Sequence, residues 1–142
     1  MVSVALDLVR RTHWSIGIGI GAVEQPLPAS TRAGRGPAFE HARTAVEHAK
    51  SAFTHLAVSG SNPAAATAVA TVLDLMALLV QRRSPEGWAA VQLLAEGHTQ
   101  SSAAEALGIS KQAVSQRLRT TAWQQEQAGR ALAATLLTEA DR

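Results

Sequence analysis

The stretch from Gln100 to Leu118, QSSAAEALGISKQAVSQRL, constrains this chain more than any other. Ala104, Gly108 four residues later and Val114 six further on stand among apolar Leu107, Ile109 and Leu118. Each position has a steric reason. A residue at a helix crossing must be small, which suits Ala104, and a helix that stops abruptly favours a glycine in the left-handed region, which suits Gly108. Ile109, Val114 and Leu118 then share one inward face of the turn and the following helix. The spacing is that of a helix-turn-helix. Thr99 and Ser110 stand where N-caps are needed, so the motif spans 99–120.

The remaining face of the second helix reads Ser110, Lys111, Gln112, Ser115, Gln116 and Arg119, and no Asp or Glu lies between Ser110 and Thr121. These side chains donate or accept at base edges and phosphates, and an acid-free helix tolerates a phosphate-lined groove. Lys111, Gln112, Ser115 and Gln116 are the expected base-edge residues, and Thr99, Gln100, Arg117 and Arg119 the expected phosphate contacts. Ser110 starts the helix whose N-terminal amides point toward anionic oxygen. The motif resembles the helix-turn-helix of bacterial and phage regulators. Its ending, ISKQAVSQRLR, is especially similar to the C-terminus of SatD-family proteins.

Composition bounds the rest. A chain of 142 residues holds one medium domain or two small ones, and the absence of cysteine removes disulfide and thiol chemistry. A net charge of +2 argues against indiscriminate coating of nucleic acid. Charged residues are 17% of the chain, below the roughly 25% usual for soluble domains, which points to apolar surface covered by a second copy. No N-terminal stretch has the order of a signal peptide. The most apolar run, Ala64 to Val80, reads as shorter than a membrane span and contains Asp74. The expectation is a cytoplasmic protein with no membrane partner.

Ahead of the motif, Val2 to Thr12 has the apolar spacing of a short helix, and His13 to Val23 alternates Ile with Gly as a strand with one bare face. Bare glycines admit a neighbouring backbone or a ligand. The GIGIG run is not GxGxxG and has no following Lys-Ser or Lys-Thr, so a phosphate loop is the lesser reading. A Pro- and Gly-rich loop, Glu24 to Gly36, carries Arg32 and Arg35. A helix from Pro37 to Phe53 and a strand from Thr54 to Ser59 follow, the helix placing Phe39, Ala42, Val46, Ala49 and Phe53 on one stripe. GIGIG, then STRAGRGPAF, then Ala42-Arg43 and Ala45-Val46 resemble the later half of the SatD family's N-terminal domain, and more distantly the palm of class III nucleotide cyclases. The resemblance implies a partial palm over residues 1–60. Such a domain opens with a strand bearing an Asp, and no such segment precedes the first helix; Asp7 sits on that helix. Metal-dependent chemistry is therefore not expected.

His41, His48 and His55 are spaced by seven, so the first two stand about 10 Å apart on a helix, too far for a shared metal. From residue 61 on, all is helix: Ala64 to Arg83 behind an Asn62-Pro63 cap, a helix opened by Ser84-Pro85-Glu86 and ended at Gly97, the motif, and a last helix to about Thr138 in which Gly129 permits close packing. The apolar arc of the 64–83 helix is wide enough to need neighbours on two sides, the helix-turn-helix on one and the N-terminal part or a second subunit on the other.

The expected fold is α+β, an α/β module at 1–60 with about two strands and two helices, then an all-α DNA-binding domain at 61–142. The expected function is sequence-specific binding of double-stranded DNA by a homodimeric transcriptional regulator, with no catalytic residues, metal or cofactor. The alternatives are a nucleotide-binding or cyclase-like protein with an accessory helix-turn-helix, and a protein-protein assembly module.

Overall fold

The computed structural model describes residues 1–11 and 13–141. Helix α1 (Val2–Arg10) buries Val2, Ala5, Leu6 and Val9, one face at helical spacing. It ends at Arg10, and Thr12, to which the sequence pattern extended it, lies outside the described residues. Strand β1 (Ile16–Ile20) is shorter than the alternating run suggested, because only Ile16, Ile18 and Ile20 find a core to enter. Helix α2 (Pro37–Ala49) then crosses over to β2 (Leu56–Gly60), which pairs parallel with β1 in the register Ile16 to Leu56 through Ile20 to Gly60.

The bare face of β1 is filled by α2. A Cβ on Gly17 would stand 2.3 Å from the Val46 amide nitrogen, and one on Gly19 would stand 2.1 Å from the Ala38 carbonyl oxygen. Of the two occupants that bare glycines admit, the structure has the backbone.

Two boundaries differ from the sequence pattern here. Helix α2 stops at Ala49 rather than Phe53, and Phe53 is 83% exposed rather than on the buried stripe. The chain turns away at Lys50 so that Thr54 can be buried, its hydroxyl donating to the Asp74 carboxylate at 2.5 Å. His55, placed in the strand by its sequence context, instead takes a positive φ of 54° in the turn before β2.

Helix α3 (Pro63–Gln81) starts where Asn62 accepts from the Ala65 amide at 3.1 Å and Pro63 needs no partner for a missing N–H. At nineteen residues it is long and apolar enough to cross a membrane, so the shorter run read from the sequence underestimated it. In this fold it is a core helix. Ala66, Val69, Leu73, Met76, Ala77 and Val80 are buried, and its neighbours are α1, β2 and α7 (Trp123–Ala140). The second flank of its wide apolar arc is thus covered chiefly by the last helix, rather than by the helix-turn-helix. Gly129 of α7 makes that approach possible, since a Cβ there would meet the Met76 sulfur at 2.8 Å.

Helices α4 (Pro85–Ala95), α5 (Gln100–Leu107) and α6 (Lys111–Thr120) complete the chain order. Among the described residues, most buried apolar side chains fall into two clusters. One joins α1, β1, β2, α3 and Ala133 of α7, and the other joins Ala90 and Val91 of α4 to Ala103, Ala104, Val114 and Leu118. Among the described residues the architecture is α+β, with a two-stranded parallel sheet in the N-terminal part and helices alone thereafter.

Candidate nucleic-acid interface

The two helices of the motif are fixed by local chemistry before any packing is considered. Thr99 accepts from the Ser102 amide while the Ser102 hydroxyl accepts from the Thr99 amide, both at 3.1 Å, a reciprocal cap that defines the start of α5. Gly108 takes φ 64° and ψ 33°, the Ile109 amide donates to the Ala104 carbonyl at 3.1 Å, and the Gly108 amide donates to Glu105 at 3.2 Å. That pair of bonds satisfies the last carbonyls of α5 and turns the chain into α6. Ser110 then accepts from the Ala113 amide at 3.1 Å.

Behind the turn, Ala103, Val114 and Leu118 are buried against Ala90 and Val91, with Ile109 and Trp123 packed at the edge. Helix α6 is thereby held by one face only. Lys111, Gln112, Gln116 and Arg119 are exposed, as are Thr99 and Ser110, while Gln100, Ser115 and Arg117 are half-buried. Gln112, Gln116 and Arg119 follow one another at helical spacing, so their polar ends share a stripe opposite Val114. The Glu86 carboxyl of α4 is held below its ordinary value by its own backbone amide and the Ser84 hydroxyl, with a smaller contribution from the Arg117 charge.

Sequence reasoning missed two contributors. Gln124 and Gln125, at the start of α7, line a groove of about 380 Å³ with Gln100, Ser115 and Arg119. Their polarity so soon after Trp123 was the available signal, but only the bend at Ala122, φ 51°, brings them beside α6.

The second is a buried ion network that joins this unit to the rest of the molecule. The Arg83 side chain, 0% exposed, donates to Glu126 at 2.5 Å and to the Thr121 carbonyl at 3.2 Å. Glu126, 1% exposed, also accepts from Arg130, which donates in turn to the Ser3 hydroxyl. Arg83 and Arg10 both lie over the Trp88 ring, at 4.4 and 4.1 Å from its centroid. Residues from α1, the connection between α3 and α4, α4 itself and α7 thus meet at one polar knot.

Among the described residues no group of His, Cys, Asp and Glu is placed to hold a metal ion. His41 sits instead beside Ser61 and Ser59.

Residues 88–129 match the family model of a homeodomain-like domain, a stretch that runs from Trp88 of α4 through α5 and α6 into α7. The match covers less than a third of the chain, so it assigns this helical unit to a class and leaves the N-terminal part outside it. No curated protein and no solved structure matches the chain. The chain therefore contains a homeodomain-like helix-turn-helix, a fold of general DNA-binding and regulatory type.

Proposed function

We propose that this chain binds double-stranded DNA sequence-specifically, as a homodimeric transcriptional regulator of the cytoplasm, with α6 in the major groove. The observation that carries the reading is the exposed, acid-free stripe of Gln112, Gln116 and Arg119 on a helix anchored by its opposite face. Gln amides pair with the edge of adenine, and Lys111 suits guanine at the N-terminal end of the helix. Ser115 contributes from the wall of the groove. Thr99, Gln100, Arg117 and Arg119 hold phosphates on either side, with the Ser110-capped N-terminus of α6 adding backbone amides. Residues 61–142 are the DNA-binding domain in this reading and residues 1–60 the palm-like module. Kinship with SatD proteins is supported by the quoted sequence motifs alone.

Selection of bound fragments from a pool of genomic duplexes tests the proposal. Enrichment of a near-palindrome with half-sites about 34 Å apart, or a multiple of that, is the expected result. Absence of any enriched sequence, together with unchanged mobility of duplex DNA at low salt, would overturn it.

A further inference from the structure

We propose that the outer edge of β1 is a self-recognition surface, which pairs antiparallel with the same edge of a second copy. In the parallel ladder the Ile16 amide donates to the His55 carbonyl at 2.8 Å, so the backbone groups of Ile16, Ile18 and Ile20 are turned toward β2. Those of Gly17 and Gly19 are turned the other way. No loop or helix among the described residues bonds to them.

An open strand edge in a native fold is normally guarded by a charge, a proline or a bulge. This one has none, and the chain from Trp14 to Val23 carries no charged residue. That neutrality selects the occupant. Across a two-fold axis the edge as a whole meets its own copy, so an edge carrying charge of one sign would repel itself and a neutral one does not.

The pattern IGIGI is also a palindrome about Ile18. With the axis at Ile18, Gly17 of one copy faces Gly19 of the other, and each such pair exchanges both of its outward backbone bonds. Ile18 meets Ile18 on the face away from α2, and β2-β1-β1-β2 becomes a continuous sheet.

Strand pairing alone falls short of the roughly 800 Å² per partner that a stable interface buries. Helix α1 supplies more. A hollow of about 400 Å³ runs along this edge, lined by Val4, Ala5 and Leu8 opposite Ile16 to Gly19, and Val4 is 61% exposed. Trp14, two residues before the strand, is 60% exposed. The inference rests on the homodimer clause of the proposed function and is independent of its DNA clause.

The test is sedimentation of the 142-residue chain over a range of concentrations, with amide exchange read residue by residue. A dimer is expected, in which exchange at Gly17 and Gly19 slows by roughly tenfold or more as the dimer fills, while Ile18, already bonded to β2, is unchanged. Val4→Glu should shift the dimer to higher concentration with its helical circular dichroism intact. A monomer at every concentration overturns both the edge and the homodimer clause. A dimer in which Gly17 and Gly19 exchange at a concentration-independent rate overturns the edge alone, and neither result depends on whether DNA binds.

Discussion

At the scale of single residues, the interface divides into side chains that choose a sequence and side chains that only hold on. Gln112 and Gln116 have short, planar, exposed amides, so replacing either with Ala should cost about 1–3 kcal/mol at the selected site and relax one position of it. Arg119→Ala should act differently, weakening every duplex alike and lowering the salt slope by about one. Titration of each variant against the selected duplex and a scrambled one, at several salt concentrations, separates the two behaviours. These residues were legible in the sequence because polarity at helical spacing is local information. Gln124 and Gln125 were not, because their proximity to Arg119 depends on the left-handed bend at Ala122.

At the scale of elements, glycine has two unrelated jobs in this chain. Gly108 is there for its backbone: its φ is 64° and, its chain neighbours aside, no atom of the described residues lies within 4 Å of where a Cβ would be. Gly108→Ala should therefore cost about 1–2 kcal/mol, the strain of a left-handed L-residue, without a packing change. Gly19 is there for its emptiness, since a Cβ would collide with the Ala38 carbonyl and the Ala42 amide of α2. Gly19→Ala should force α2 off the sheet and cost at least about 3 kcal/mol. Urea unfolding of the two variants would rank them, and the opposite order would show that α2 yields easily. The caps were equally readable: Asn62, Ser84, Thr99 and Ser110 each accept from the amide three residues on. The end of α2 was not, because the apolar stripe continues to Phe53 while the helix gives way to the burial of Thr54 against Asp74.

At the scale of the whole molecule, the polar knot around Glu126 decides how the helical unit is carried. Glu126 joins Arg83, just beyond the end of α3, to Arg130 within α7, and Arg83 packs on Trp88 of α4. Removing the carboxylate leaves Arg83 as a buried cation without a counter-charge, so Glu126→Ala should destabilise the fold by about 3–5 kcal/mol. Thermal unfolding measures that loss. DNA affinity at a temperature where the variant is folded should change far less than in Gln112→Ala, since the knot touches no part of the exposed stripe.

Whatever depends on neighbours a few residues away was legible in the order of residues: the helix-turn-helix, its caps, its acid-free outer face, and the alternation that makes β1 a strand. Such features are set by backbone sterics and short-range hydrogen bonds, which act the same in any context. What lies against what became visible only once the chain was folded. Folding placed α2 on the bare glycines, gave α3 to α7, and gathered Arg10, Arg83, Trp88, Glu126 and Arg130 into one cluster. Those contacts join residues far apart in the chain, and no periodicity within a single segment records which partner will cover its face.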